Sequence, residues 1–485
     1  MAWLTLSSCP NYSGRSGKSS QRYTVFSRNE ITPEATEKFE KRLERFFREL
    51  ARRVFQWTVQ RVESSDPADV VSAFQFIDHN YRRNRRTSKN IDTRFGVITV
   101  DRWFYQNKQA ETPGIAPLDV RLGLFGERMT PALAEVAGRL AADMPQQAAL
   151  DILAERFCVR PGVTAYRRIV ADIASQVRAE HDDVAIEKLC EWIEQARQSD
   201  GENNVLLQVG RDGVYVQTRP CWEEASCGTL AVYDRNGKRV GTVYLGQMPE
   251  SEQPTMTARL TKVITGVLSR TGGDVPTLRY VTDAGCHPQA YFRNVLSKMM
   301  HPVTNEPLAW SWGVDFFHAC EYVSTIACAI FGTASKKANE WAESQRHVLR
   351  HEIDGVSKVI RSATQQKRRN GLNGTKKDYN SGLNYLKKYR DHMDFAARTL
   401  RGEPIGSGIT EAGCKVIFNQ RLKQSGMRWH RETGQYIVDL RTANRSRLWN
   451  DIWKRLTHSR MPLPPITQAN PTENTRSTEE NLLPA

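Results

Sequence analysis

Strand and helix signals between residues 204 and 314 come in one order, and that order leaves few folds open. Apolar, strand-like runs fall at 204–209 and 213–218, which share the run Val205–Val216 and count as one strand, and at 229–234 and 239–245; Tyr233–Arg239 (YDRNGKR) carries the Asn-Gly pair that favours a tight hairpin. Thr255–Ser269 is an amphipathic helix, 278–282 is again strand-like, Pro288–Met300 is helical, and Leu308–Val314 supplies a fifth strand. Three antiparallel strands followed by helix, strand, helix and strand call for a mixed sheet, because a parallel neighbour is reached only through a crossover connection.

This order fits an α/β core of the ribonuclease H-like kind, a mixed five-stranded sheet. Three acids stand out against it. Asp212 lies in the apolar run Val205–Val216, Asp283 directly follows Leu278–Thr282, and Glu411 opens the basic helix Ser407–Lys423. In a ribonuclease H-like sheet the first and fourth strands are neighbours, so Asp212 and Asp283 approach each other across 70 intervening residues. A helix packed on that sheet would add Glu411. Carboxylates suit hard divalent cations, since Mg²⁺ prefers oxygen ligands; Asn or Gln would give the oxygen without the charge. Two Mg²⁺ ions roughly 3.5–4 Å apart, or Mn²⁺ in their place, activate water and stabilise a leaving phosphate oxygen.

Each acid also has a plainer reading. Asp212-Gly213 has the composition of a hairpin turn. Asp283 ahead of Ala-Gly suits a helix cap or turn. Glu411 can pair with Lys415 one helical turn on. Asp274 competes with Asp283 for the second position, but it sits in a Gly-rich loop ahead of Pro276 rather than at a strand end.

The chain is long enough, at 485 residues, for about three domains. Its net charge of +15 is concentrated: 336–460 holds 27 Lys and Arg against 12 Asp and Glu, which accounts for the whole excess. Such a block suits a polyanion, most simply double-stranded DNA, with a solvated basic surface as the alternative. The nine cysteines form no CxxC pair, which argues against a zinc knuckle and suits a reducing cytosol. No charged leader precedes an apolar stretch, and the longest apolar run, around 326–331, is too short to span a bilayer.

Residues 1–30 are rich in Ser, Gly and Arg and are expected to be flexible. Over 31–125 a helical and β-hairpin region is expected. Its helix runs from Pro33 to about Glu63 with Phe39, Leu43, Phe46, Leu50 and Val54 on one stripe; Tyr81–Lys89 reads as a basic loop and Phe95–Tyr105 as a strand or hairpin. Residues 126–182 read as successive helices, Met129–Met144, Gln146–Phe157 and Thr164–Val177, with a turn at Cys158–Gly162. This is a helix-turn-helix pattern in which Arg167 and Arg168 would meet phosphates or guanine edges, or else a plain three-helix unit. A linker, 183–203, includes the helix Asp183–Ser199. The core follows at 204–318, a basic helical insertion at 319–403, the closing helix with the third acid at 404–456, and a flexible tail at 457–485. Trp449 and Trp453 are expected in the core.

The runs Asp315–Val323 (DFFHACEYV), Pro404–Lys415 (PIGSGITEAGCK) and Arg421–Trp429 (RLKQSGMRW) resemble bacterial insertion-sequence DDE transposases of the ISKra type, most densely over 204–456. The resemblance implies a ribonuclease H-like catalytic core interrupted by a helical insertion, with Asp212, Asp283 and Glu411 as catalytic, metal-binding residues. It also implies supporting roles for Asp315 and His318, whose Asp-x-x-His spacing matches a motif in related families; His318 could equally be a core histidine. On that reading Lys415, Arg421, Lys423 and Arg428 line a DNA track, and Trp429 stacks on a base or else packs under the helix. Cleavage and strand transfer at the ends of an insertion sequence, two magnesium ions, a homodimer or larger synaptic assembly, and a cytoplasmic place at the bacterial nucleoid all follow as expectations. A nuclease that cuts without joining and a transposase-derived DNA-binding regulator are the alternatives.

Overall fold

The computed structural model describes residues 31–107, 113–271, 274–333, 335–458 and 463–467. Helix α1, Pro33–Gln60, begins at Thr32, whose hydroxyl accepts the Ala35 N–H at 3.1 Å. Strands β1 (Ala73–Phe76), β2 (His79–Thr93) and β3 (Gly96–Asn107) form an antiparallel sheet in the order β1-β2-β3. α1 lies on β3: the Gln60 side chain bonds the Asp101 N–H and carbonyl, each at 2.9 Å, while Val59 and Phe55 join Ile91, Ile98 and Val100 in a small core. The run Tyr81–Lys89, expected as a loop, is part of β2, with one irregularity between Arg83 and Arg85. An antiparallel sheet tolerates such a run because one face can meet solvent. Tyr81 points to the core, and Arg83 lies 5.2 Å from the centre of the Trp103 ring.

After α2 (Pro117–Arg121) come α3 (Pro131–Asp143), α4 (Gln146–Phe157) and α5 (Val163–Arg197). α4 ends on Cys158 in the left-handed conformation, φ 54°. α5 joins two helices expected separately, over 164–177 and 183–199. No Gly or Pro interrupts its 35 residues, and the polar stretch between the two, 178–182, is tied down. Asp182 pairs with buried Arg259 at 2.6 Å, and Arg178 with buried Asp439 at 2.8 Å. The expected linker is therefore the second half of a core helix, with Ile186, Leu189 and Ile193 buried.

The second sheet has five strands in the order β6-β5-β4-β7-β8. β4 (Leu206–Gln217), β5 (Trp222–Tyr233) and β6 (Arg239–Gln247) are antiparallel, whereas β7 (Thr277–Thr282) runs parallel to β4, and β8 (Ser311–Val314) parallel to β7. α6 (Pro254–Arg270) and α7 (Cys286–Asn294) make the crossovers. β8 leads into α8 (Phe316–Phe331), and the insertion continues as α9 (Lys336–His351), α10 (Gly355–Asn370), α11 (Lys376–Lys388) and α12 (Phe395–Leu400). The chain then returns through α13 (Gly408–Gly413), a π-helical stretch over Cys414–Asn419, and α14 (Gln420–Leu422), and closes with α15 (Arg431–Arg445) and α16 (Trp449–His458).

α5 and α6 cover one face of the sheet. The π-helical stretch and α15 cover the other, where Ile417 and Val438 close on Gly246. One buried cluster runs from Phe125 to Trp453, so α3 and α4 share the sheet's core; Trp449 and Trp453 stack within it at 6.0 Å. The expectation of a flexible tail fails for 463–467: Ile466 is buried, its carbonyl accepts the Val71 N–H at 3.4 Å, and the Pro464 carbonyl accepts from Arg121 at 2.8 Å. The rest of the tail past 458, and the expected flexible N-terminus at 1–30, lie outside the described residues.

Candidate active site

The register of two parallel strands fixes the first two acids. Val209 of β4 pairs with Tyr280 of β7, and Asp212 and Asp283 each stand three residues further on. Asp212 is no turn residue: β4 continues through it, opposite Cys227 of β5. Asp283 leaves β7 one residue after Thr282, which pairs with Val314 of β8, so Asp315 falls at the same level on the next strand. Three adjacent parallel strands thus bring aspartates to one level, Asp212 within β4 and Asp283 and Asp315 directly after the last residues of β7 and β8. Asp274 is excluded from this group. It precedes the opposite end of β7 and faces Arg197 at 3.2 Å, roughly 30 Å from residue 283 at about 3.3 Å per strand residue.

Asp315 is fully buried and acts as a positioning residue. One carboxylate oxygen caps α8 by accepting the His318 N–H at 2.7 Å; the other accepts the Ser407 N–H. The Asp-x-x-His spacing is therefore, at the level of the backbone, an N-cap. Ser407 passes the constraint on: its carbonyl accepts from the N–H groups of Thr410 (2.7 Å) and Glu411 (3.1 Å), and its hydroxyl donates to the Glu411 carboxylate at 3.2 Å. The Thr410 hydroxyl meets that of Thr229 on β5 at 2.8 Å. Gly210 lets the helix come this close, since a Cβ there would lie 2.0 Å from the Thr410 oxygen.

Glu411 stands exposed on α13, over the β4–β5 side of the Asp212 edge. Among the described residues no ion pair engages it, so the Lys415 pairing is not formed. One Asp212 oxygen accepts the Gly213 N–H at 2.7 Å, and the other accepts the buried Cys414 thiol at 3.5 Å. Burial, then the charge of Asp283 and more weakly that of Glu411, push the Asp212 carboxyl up to about 6, against the two hydrogen bonds. The three acids therefore share one electrostatic neighbourhood.

That concentration of negative charge fits a divalent cation. The side-chain directions do not form a cage, however: among the described residues no three His, Cys, Asp or Glu side chains converge on a metal-sized site. Each carboxylate is turned to a local donor, Asp283 to the Gly285 N–H at 2.9 Å.

The loop after Asp283 is braced by the insertion. Ala284 is held at φ 69°, and the hydroxyls of Tyr385 and Tyr389 donate to the carbonyls of Asp283 (3.3 Å) and Ala284 (3.4 Å). His318, Tyr322, Tyr385 and Lys388 line a cleft of about 440 Å³ beside Asp283, with the two tyrosine rings stacked at 3.8 Å. His318 is half-buried there, and its Nδ1 lies 3.1 Å from Glu321. A second cleft, about 580 Å³, runs past Glu411, Lys415 and Asn419. A cleft of about 830 Å³ lies at the opposite end of the sheet around Asp274 and Arg279, away from the acids. The tyrosines escaped the sequence reading, since no spacing ties them to Asp283 across 100 residues.

The expected DNA contacts divide. Arg167, Arg168, Lys415, Lys423 and Arg428 are exposed. Arg421 is not a DNA contact: it is 3% exposed, donates to the Ala141 carbonyl at 3.2 and 3.3 Å, and covers the Trp429 ring at 5.3 Å. Trp429 follows the packing alternative. Its indole N–H donates to Leu422 at 3.0 Å, and its backbone bridges to Thr218. The chain matches no known protein-family model and no curated protein sequence.

Proposed function

We propose that the chain is a DDE-type transposase that cuts DNA at the ends of an insertion sequence and joins the freed end to a target, on a ribonuclease H-like core. One observation carries the reading: Asp212 within β4 and Asp283 at the end of β7 stand in register on neighbouring parallel strands, and burial, then the charges of Asp283 and Glu411, raise the Asp212 carboxyl to about 6. Asp212, Asp283 and Glu411 would hold two magnesium ions, with Glu411, exposed and free of ion pairs among the described residues, turning inward to complete the set. When bound, the metal supplies a nucleophilic water at neutral pH and stabilises the leaving oxygen.

The remaining steps fall to the chain. Lys415, Lys423 and Arg428 hold phosphates along the approach to Glu411, and Arg167 and Arg168, on the first turns of α5, hold a second stretch of duplex. α4 and α5 would then act as the helix-turn-helix. Hydrolysis of one phosphodiester frees a 3′-hydroxyl; attack of that hydroxyl on a target phosphodiester forms a new P–O bond, breaks the target's own and releases the target strand's 3′-hydroxyl, so no protein nucleophile is required. No helix in the described residues is long and apolar enough to cross a membrane, in keeping with work at the bacterial nucleoid.

The unclosed carboxylates favour a second reading, a transposase-derived regulator that binds DNA without cutting it. Plasmid DNA carrying the repeats that flank the coding region separates the two. With Mg²⁺ the wild type should release a cut end and give a joined product, while Asp212→Asn binds the DNA and does neither. Binding without cleavage by the wild type supports the regulator, cutting without joining supports a nuclease on the same fold, and unchanged cleavage by Asp212→Asn rejects the acid set.

A further inference from the structure

Helix α1 is apolar on two opposite sides. One side carries Phe55, Gln56, Val59 and Gln60 and is fixed to β3. At 3.6 residues per turn, Leu43, Phe47, Leu50, Val54 and Trp57 point the other way. They are 37%, 56%, 42%, 55% and 61% exposed. Their spacing of four, three, four and three residues is that of the a and d positions of a two-helix seam.

The edges of this row bear on what covers it. Glu44 pairs with Arg48, and Glu49 with Arg53, within the helix. α1 as a whole carries seven basic and five acidic residues, nearly balanced in a chain of net charge +15. A nucleic-acid surface would call for a basic excess, whereas a balanced rim around an apolar row suits an identical surface. The row is about 21 Å long at 1.5 Å per residue. With two aromatics each able to bury 150–250 Å², it offers on the order of 500 Å² per copy, so two copies reach the lower limit of about 1,000 Å² for a specific interface.

We propose that this row is the contact between two copies of the chain, a helix-to-helix seam about a two-fold axis. The proposal does not depend on catalysis. Sedimentation equilibrium of the full chain at micromolar concentration should show a dimer, and Leu50→Glu and Val54→Glu should each weaken it at least tenfold while keeping the wild-type circular dichroism and Tm. The milder Leu50→Gln should weaken it in the same direction, which guards against a misfolded charge variant. A monomeric wild type overturns the proposal, whether residues 1–30 or another protein meets the row. So does a dimer that all three variants leave intact.

Discussion

Asp315 and Ser407 lie 92 residues apart, and the carboxylate of the first accepts the backbone N–H of the second. The same carboxylate caps α8, so one buried group ties the end of β8 to the turn that launches Glu411. Asp315→Ala leaves two backbone N–H groups without an acceptor and should cost about 2–4 kcal/mol in urea unfolding. Asp315→Asn keeps an acceptor and should cost less than half of that. If Glu411 is part of the metal site, the Asn variant should also lose cleavage beyond its loss of stability. Equal stability of wild type and Asp315→Ala would remove the positioning role.

The Asp212 carboxyl gives a pH test. Its folded value of about 6 lies above the ordinary 3.8. Between these values the folded chain holds the extra proton, so stability falls as pH rises through the window, and the penalty is complete above pH 6. Without divalent cations, Asp212→Asn should therefore be more stable than wild type at pH 7.5, by roughly 1–2 kcal/mol after allowing for partial solvation, and about equal to it at pH 3.5. Saturating Mg²⁺ should raise the wild-type Tm more than that of the variant. A variant less stable at pH 7.5 would show that Asp212 is not under electrostatic strain.

The sequence made the sheet legible where local pattern decides structure. Apolar runs and the Asn-Gly turn mark the strands, and once β4 and β7 are neighbours, Asp212 and Asp283 follow from counting. Glu411 was different: alone it reads as half of an i,i+4 pair, and the flanking motif was needed to single it out. The misses share a cause, which is that charged residues were read as exposed. α5 read as two helices because the partners of Asp182 and Arg178, which hold its middle, lie 77 and 261 residues away. Arg421 looked like a phosphate ligand because its acceptor, Ala141, lies 280 residues earlier. The tyrosines that brace the Asp283 loop come from the insertion, and no period in the chain relates the two.

Ala284 holds a conformation that suits glycine, φ 69°, directly after Asp283. The left-handed region costs an alanine about 1 kcal/mol. Ala284→Gly should therefore leave stability unchanged or raise it by up to about 1 kcal/mol. Ala284→Val should lower it by more than 1 kcal/mol, since a β-branched side chain fits poorly there. The functional consequence runs the other way. If Asp283 is part of a metal site that cuts DNA, the glycine frees the loop that sets its carboxylate, so cleavage per folded molecule should fall, and that of Tyr389→Phe, which removes a brace from the same loop, should fall with it. Urea unfolding and a plasmid-cutting assay on the same samples separate the two effects. A glycine variant that is less stable and fully active would contradict both expectations.

The exposed and buried arginines after Glu411 predict opposite phenotypes. Arg421→Ala removes two hydrogen bonds to the Ala141 carbonyl and the cation over Trp429. The loss should be about 2–4 kcal/mol, read by urea unfolding with Trp fluorescence. Lys423→Ala and Arg428→Ala touch exposed side chains and should change stability by no more than about 0.5 kcal/mol. If the proposed track holds DNA, each should instead weaken duplex binding and lower the slope of log affinity against log salt by about 1, because one fewer phosphate is neutralised. Fluorescence anisotropy with a labelled duplex at several salt concentrations reads both quantities. The assignment fails if Arg421→Ala keeps its stability and loses a unit of salt slope, for then the buried guanidinium meets phosphate after all. It fails on the other side if Lys423→Ala and Arg428→Ala bind with the wild-type slope, which would leave the approach to Glu411 a solvated basic surface.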